Sequence, residues 1–146
     1  MRVYLDACSL QRPLDDRSQP RIHVEAEAVL TILGLVESGR WELLSSEALE
    51  FEIQRIPDVE RRSRAKEMLK LARHTLKLDA DVQAYAGEFS LLGIKPMDSL
   101  HLAFASWTSA DFFCTCDDKL LKQVKKLASL NTTVVSPLQL IAEVTP

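Results

Sequence analysis

The chain has 146 residues, 47% of them hydrophobic and 27% charged. It is therefore long enough for one domain with its own core and too apolar to be disordered. The formal net charge of -3 excludes a global basic field, so any nucleic-acid contact needs a local basic patch. No apolar run approaches the roughly 20 residues of a membrane span. Three cysteines without a signal-peptide pattern predict reduced thiols and a cytoplasmic protein.

The first nine residues, MRVYLDACS, predict a short buried strand over Val3–Leu5 that stops on Asp6. A parallel strand that ends on a carboxylate presents the charge at the carboxyl edge of the sheet, where α/β proteins bind their ligands. Taken alone, Asp6 serves equally well to begin a turn. Its meaning depends on whether other acids reach the same edge.

The next segment combines a proline-rich stretch with an amphipathic one. Residues 11–21 contain two prolines and two adjacent aspartates, a composition typical of a loop. Apolar residues then recur at helical spacing from Ile22 to Ser38, and Gly39 ends the predicted helix. Glu25 lies at the edge of the apolar stripe, and we favour its pairing with an arginine over a role in a site.

A second strand and helix follow, and they carry an unusual acid. Residues 41–45 predict the strand, and Ser46 is a suitable N-cap for a helix through Ile56. Glu52 falls within the apolar arc of that helix, a position that requires a partner. The partner is either a metal cation or a nearby arginine, Arg55 or Arg2.

Two more helices are predicted after Pro57. The first covers residues 59–74 and is strongly basic; its arginines and lysines form a solvated face and also a candidate basic patch. The second covers residues 80–92 and ends at Gly93.

The stretch IKPMDSLHLAFASW predicts a helix that begins at Pro96 and is apolar on nearly all sides. Asp98 lies in its first turn, where the helix dipole already favours an acid. Asp98 also shares a face with buried positions such as Leu102. We interpret His101, one turn later, as a packed core histidine.

The segment DFFCTCDDKLLKQVKKL repeats the arrangement of the N-terminus. A strand over Phe112–Cys116 stops on Asp117, which either N-caps the following helix or joins a site. Cys114 and Cys116 lack the further ligands of a zinc site and are interpreted as core thiols. Residues 133–135 and 137–143 predict a last strand and a closing helix.

Strands that alternate with helices predict one α/β domain over residues 1–146, with a mostly parallel sheet covered by helices on both faces. Asp6 and Asp117 then end neighbouring strands at one edge, and Glu52 and Asp98 lie on helices that begin near it. Four converging carboxylates repel one another unless a cation neutralises them. Mg²⁺ and Mn²⁺ prefer such oxygen ligands and support attack of water on a phosphodiester.

Four motifs occur in order along the chain: VYLDACSL, SSEALEFE, MDSLHLAFA and TCDDKLL. In this order they resemble the PIN-domain family and, within it, the VapC-type toxin ribonucleases of bacterial toxin–antitoxin pairs. Each is weak alone, but together they cover essentially the whole chain. The resemblance places the metal-binding, catalytic acids of the family on Asp6, Glu52, Asp98 and Asp117, with Asp118 as a further candidate.

The resemblance also concerns the residues around these acids. Thr115 matches a hydroxyl residue that supports the last acid. The second residue after Asp6 is often a polar residue such as asparagine in the family, and here it is Cys8. The stretch RPLDDRSQPRIHVEAEA resembles a subgroup feature rather than a general one.

The function that this resemblance implies is a Mg²⁺- or Mn²⁺-dependent endoribonuclease, with RNA as substrate, a VapB-like antitoxin as partner and a homodimer as assembly. Local basic side chains are the candidates for holding RNA. They are Arg12, Arg21, Arg61, Arg62 and Arg64.

Three alternatives are weighed against this interpretation. A catalytically silent PIN scaffold that binds RNA or protein is the strongest, although none of the four acids is lost. A receiver domain fits poorly, because Glu52 lies inside a helix rather than at the end of a strand. A phosphatase of the haloacid dehalogenase type requires a second aspartate where Cys8 stands.

Overall fold

A computed structural model describes residues 1–144 and contains one five-stranded sheet in which every strand pair is parallel. The strand order is β3-β2-β1-β4-β5. The strands are β1 (Arg2–Leu5), β2 (Glu42–Ser46), β3 (Thr75–Leu76), β4 (Phe112–Cys114) and β5 (Thr133–Val135). The predicted α/β class is confirmed.

Eight α-helices accompany the sheet in this part of the chain. They are α1 (Ala7–Gln11), α2 (Pro20–Glu37), α3 (Glu47–Gln54), α4 (Val59–Leu69), α5 (Ala80–Leu91), α6 (Pro96–Trp107), α7 (Asp118–Val124) and α8 (Pro137–Val144). None of the helices within residues 1–144 is long and apolar enough to cross a membrane.

The central strand β1 is buried on both faces of the sheet. Val3, Tyr4 and Leu5 are fully inaccessible, although successive side chains of a strand point to opposite faces. β1 pairs with β2 on one side and with β4 on the other, and the Tyr4 ring stacks on Phe113 of β4 with centroids 5.5 Å apart. The predicted neighbouring position of the first and fourth strands is confirmed. Helices therefore cover both faces.

The predicted loop over residues 11–21 contains more structure than its composition indicates. α1 follows β1 directly, a 3-10 turn covers Arg12–Leu14, and α2 begins at Pro20 rather than at Ile22. Proline fits the first helical position because it needs no N–H partner there. α1 has Asp6 as its N-cap and contains only five residues. A helix this short has no detectable periodicity in the sequence.

The basic helix α4 ends at Leu69, five residues before the predicted end. The chain then turns and forms β3, a two-residue edge strand beside β2 that the sequence did not predict. A strand this short has no detectable alternation. β4 likewise ends at Cys114, two residues early, although the Thr115 N–H still donates to the Val135 carbonyl.

The prediction of a solvated arginine face on α4 is wrong for Arg61 and Arg62. Arg61 Nη2 donates to Asp15 Oδ1 at 2.6 Å and to the Leu14 carbonyl at 3.2 Å, which ties α4 to the 3-10 turn. Arg62 Nη1 donates to the Ile56 carbonyl at 2.8 Å. Arg64, paired with Glu60, does lie on an exposed face.

Replacing Arg61 is therefore expected to destabilise the fold, whereas replacing Arg64 is not. Arg61→Ala removes partly buried charged hydrogen bonds and should lower the free energy of unfolding by about 1–2 kcal/mol. Arg64→Ala removes a solvent-screened pair between neighbouring helical turns and should cost at most about 0.5 kcal/mol. Urea titrations of the two variants make the comparison, and equal midpoints would contradict the anchoring role of Arg61.

Candidate active site

The four acids singled out from the sequence line one cavity of about 410 Å³. We call this the acidic cavity and define it by Asp6, Glu52, Asp98 and Asp117. Asp6 directly follows β1, and Asp117 follows β4, so the cavity lies at the carboxyl edge of the sheet. Other residues also line it: Ala7, Cys8, Arg12, Lys95, Met97, His101 and Cys116.

Asp6 serves both as a helix cap and as part of the cavity wall. Its Oδ1 accepts hydrogen bonds from the Ser9 N–H and from Cys8 Sγ, each at 3.0 Å. The carboxylate is nearly buried, so these two donors compensate for much of its lost hydration. Cys8, the departure from the family pattern, thus contacts Asp6 directly.

Glu52 is held by a histidine rather than by an arginine. Its Oε1 lies 2.7 Å from His101 Nε2, and its side chain remains 39% exposed. The two expected arginine partners are engaged elsewhere: Arg2 Nε lies 3.8 Å from Glu42, and the Arg55 guanidinium lies over the Phe51 ring. The expectation of an arginine partner for Glu52 is therefore wrong.

His101 is packed in the core, as expected, with 1% of its surface exposed. Its Nδ1 lies 2.6 Å from the Tyr4 hydroxyl, which in turn lies 2.6 Å from Ser46 Oγ. Burial raises the pKa of Tyr4 well above its ordinary value, so the hydroxyl keeps its proton. The sequence analysis missed the contact with Glu52, although His101 follows Asp98 by one turn on the same helix.

The carboxyl group of Asp98 is the most strongly perturbed acid in the cavity. Its pKa is raised to about 6, first by burial and then by the negative charges of Asp6 and Asp117, with a smaller contribution from Glu52. The positive end of α6 does not offset these effects. The shift shows that the acids of the cavity face one another closely enough to interact.

Asp117 caps α7 and is supported by the threonine before it. Asp117 Oδ1 accepts from the N–H groups of Lys119 and Leu120 at 2.9 and 3.2 Å. The buried Thr115 hydroxyl accepts from the Asp117 N–H at 3.1 Å, which fixes the backbone where the acid leaves it. Thr115 is thus in direct contact with the backbone of Asp117, and its role toward a bound cation stays a prediction.

Asp118, the further candidate ligand, is not among the residues that line the cavity. It forms a two-pronged ion pair with Arg21, with distances of 2.8 and 2.6 Å. The Arg21 guanidinium lowers the pKa of Asp118 below its ordinary value. Asp118 is therefore joined to α2 rather than to the four acids.

The candidate RNA-binding arginines are mostly occupied by contacts within the chain. Arg12 lines the cavity, but its Nε lies 3.4 Å from the buried Glu25 and its Nη1 donates to Asp15 at 3.0 Å. Arg21 Nε also lies 3.6 Å from Glu25, so the arginine pairing predicted for Glu25 is confirmed. The subgroup stretch is thus a network of charges that joins α2 to the cavity wall.

Lys95 is a cavity residue that the sequence analysis missed. It is exposed, directly precedes α6, and forms no ion pair with any residue between 1 and 144. Its position immediately before the helix that carries Asp98 is the sequence signal that could have identified it. Lys95 and Arg12 are the two lysine or arginine side chains that line the cavity.

The cysteines are free thiols. Cys114 is buried in β4, in agreement with a core thiol. Cys116 is also buried but reaches the cavity wall, as Cys8 does. Contacts with Cys8 and Arg12 lower the pKa of the Cys116 thiol below its ordinary value.

The chemistry of the four acids fits a hard divalent cation, because carboxylate oxygens are the ligands such ions prefer. Among residues 1–144, however, no three His, Cys, Asp or Glu side chains are grouped tightly enough to hold an ion. Asp6, Glu52 and Asp117 each face a donor of the protein, so the donor set is suitable but not preassembled.

Fold and cavity together define an α/β domain with an acidic cleft at the carboxyl edge of a parallel sheet. The fold is similar to that of a chain in the crystal structure of VapBC2 from Rickettsia felis, a complex that is bound to a DNA fragment from its promoter. The TM-score is 0.58 at 15% identity, and the likeness covers 93% of this chain and 98% of that chain. No protein-family model and no curated protein sequence matches the chain.

The electrostatics of the cavity predict that Asp98→Asn stabilises the metal-free protein at pH 8. Because the folded-state pKa of Asp98 is raised, the stability of the wild type falls as pH rises from about 4 through about 6. Above that range the uncharged variant should be more stable by roughly 1 kcal/mol, allowing for solvent screening of a half-exposed side chain.

Thermal melts in EDTA at pH 4 and pH 8 measure this difference. The gain of the variant should be present at pH 8 and absent at pH 4. A variant that is less stable at both pH values would instead identify Asp98 as an acid that only stabilises the start of α6.

Proposed function

We propose that this chain is a Mg²⁺- or Mn²⁺-dependent endoribonuclease of the PIN type and the toxin of a VapBC-type pair. The single observation that carries the proposal is the convergence of Asp6, Glu52, Asp98 and Asp117 on one cavity. Such a concentration of negative charge opposes folding and has no structural benefit that hydrogen-bonding neutral residues could not supply. A bound cation would neutralise the repulsion among the four carboxylates.

Asp6, Glu52, Asp98 and Asp117 are the residues that would hold the cation. When bound, Mg²⁺ or Mn²⁺ supplies the positive charge that activates water and stabilises the leaving oxygen of a phosphodiester. Without that charge the four carboxylates repel an RNA phosphate. Cation and substrate are therefore expected to bind in a linked manner, with RNA affinity rising as the acids are neutralised.

The chain offers few positive charges to the RNA backbone near this cavity. Lys95 and Arg12 line it, whereas Arg21 and Arg61 are engaged with acids of the chain. Two lysine or arginine contacts imply a shallow dependence of RNA affinity on salt, with a logarithmic slope of only about -1 to -2.

A VapB-like antitoxin and a second copy of the chain are the proposed protein partners. The fold similarity to a chain of a VapBC complex supports the antitoxin. A second, more apolar cavity adjoins the acidic one, shares Glu52 and Met97 with it, and includes Phe51 and Ile56. This surface suits an apolar peptide that carries a basic residue toward the acids. Exposed leucines at the end of α5, Leu91 and Leu92, are candidates for self-association.

The alternative is a catalytically silent scaffold that binds RNA or protein. The observation in its favour is that the acids within residues 1–144 form no ready ion-binding group, with Glu52 engaged by His101. On this alternative the acidic cavity receives a basic segment of a partner rather than a metal ion.

An RNA cleavage assay with separate variants tests the proposed function. Wild-type protein should cut structured RNA with Mg²⁺ or Mn²⁺ and lose activity in EDTA. Asp6→Asn, Glu52→Gln and Asp98→Asn should each lower the rate at least about 100-fold, equivalent to about 2.7 kcal/mol of transition-state stabilisation. Glu88→Gln, an exposed acid of α5 outside the cavity, is the matched control and should keep the wild-type rate.

Mn²⁺ titrations of thermal stability complete this test. An ion that binds only the folded protein raises the melting temperature of the wild type, and the rise should shrink in Asp98→Asn. RNA binding without cleavage at any Mn²⁺ concentration, together with an unchanged melting temperature, would refute the nuclease and favour the silent scaffold.

A further inference from the structure

A chain of buried hydrogen bonds connects Glu52 to the interior of the protein. We call Ser46, Tyr4 and His101 the buried relay. The contacts run from Ser46 Oγ to the Tyr4 hydroxyl at 2.6 Å, from that hydroxyl to His101 Nδ1 at 2.6 Å, and from His101 Nε2 to Glu52 Oε1 at 2.7 Å. All three relay residues are almost completely inaccessible to solvent.

The relay joins the elements that carry three of the four acids. Ser46 is the N-cap of α3, the helix of Glu52, and its Oγ accepts from the Leu49 N–H at 3.0 Å. Tyr4 lies in β1, two residues before Asp6. His101 lies on α6, three residues after Asp98. A shift of any one element would therefore break a contact of the relay.

The hydrogen-bond count of the relay assigns a direction to each proton. Glu52 accepts as a carboxylate, so His101 Nε2 donates to it and the Nδ1 of a neutral ring must accept. The Tyr4 hydroxyl is the donor within reach of Nδ1, and Ser46 then donates to the tyrosine oxygen. Since Ser46 also accepts from the Leu49 N–H, every polar group of the relay is satisfied in this one arrangement.

We propose that the buried relay is a positioning device that holds the Glu52 carboxylate at the wall of the acidic cavity and limits its freedom before a cation binds. The proposal rests on the proposed function and adds to it three residues that act through Glu52. A histidine that orients a ligand through one nitrogen, and is itself fixed through the other, restricts the ligand before the ion arrives.

The position of Glu52 needs to be fixed because its side chain is far more exposed than that of His101 and lies on a helix of only eight residues. A free glutamate side chain has three rotatable bonds, and ordering it on binding would weaken cation affinity. The relay removes that freedom in advance. Loss of a partner behind a metal ligand typically costs about 10–100-fold in metal affinity.

Two substitutions at His101 separate positioning from packing. His101→Gln can place its amide N–H near the former Nε2 and keep a donor to Glu52. His101→Asn retains a polar group near Tyr4 but is too short to reach Glu52. If the relay acts through Glu52, Mn²⁺ affinity should fall about tenfold or more in the asparagine variant and be largely retained in the glutamine variant.

Tyr4→Phe tests the inner half of the relay and has a matched control. Tyr85 on α5 makes a comparable hydroxyl contact, 2.7 Å to Ser106 Oγ, and does not line the acidic cavity. Tyr4→Phe should weaken Mn²⁺ binding severalfold, whereas Tyr85→Phe should leave it unchanged. Thermal melts in EDTA confirm that both variants are folded.

Mn²⁺ affinity is measured by the electron paramagnetic resonance signal of the free ion. The position of the proton on the His101 ring is measured by ¹⁵N NMR of the metal-free protein at pH 8. The wild-type ring should carry its proton on Nε2, and Tyr4→Phe should shift the ring signals. A ring protonated on Nδ1, or equal Mn²⁺ affinities in the folded wild-type, Tyr4→Phe and His101→Asn proteins, would overturn the relay.

These outcomes remain distinct from a failure of the proposed function. Mn²⁺ binding that weakens in Tyr4→Phe and His101→Asn, in a protein that cuts no RNA, would support the relay and refute the nuclease. RNA cleavage that is unaffected in these folded variants, with unchanged Mn²⁺ affinity, would refute the relay alone. A wild type that binds no Mn²⁺ would refute both.

Discussion

The parallel pairing of β1 with β2 and β4 is the constraint on which the rest of the structure depends. A strand buried on both faces is apolar through its buried part, and a charged residue can follow only where the strand leaves the core. In this chain that residue is Asp6, whose N–H still donates to the Cys114 carbonyl of β4. The register of β1 therefore fixes where Asp6 lies along the sheet, where α1 begins and where this part of the cavity wall lies.

The acids of the cavity have structural and electrostatic roles at once. Asp6 and Asp117 each cap a helix, and backbone N–H groups stabilise each carboxylate. These bonds make the close approach of several negative charges tolerable in a folded protein. Asp98 has no side-chain partner of this kind within its helix turn, and its pKa is the one that rises. Capping and a functional site are therefore complementary interpretations of these residues rather than competing ones.

The sequence predicted the parts of this molecule that depend on local pattern. The long helices, the buried strand before Asp6, the Ser46 cap and the clustering of four acids all follow from periodicity, capping and strand ends. It could not predict β3, which exists only because β2 offers it a partner, or the histidine beside Glu52. Of the two arginines considered as partners of Glu52, only Arg55 is near it in sequence, whereas the actual partner His101 reaches it through the fold. The prediction that Arg61 lies on a solvated face was wrong for the same reason, because its acceptors lie on a turn that is distant in sequence.

The pairing of Val3 with Phe112 has a consequence for the timing of synthesis. Asp6 is translated 111 residues before Asp117. At typical elongation rates roughly ten seconds separate them. During that interval the nascent chain contains some of the residues of the cleft but cannot form the complete cleft. Whatever the cleft binds, it can do so only after Asp117 has been translated and has met the other three acids.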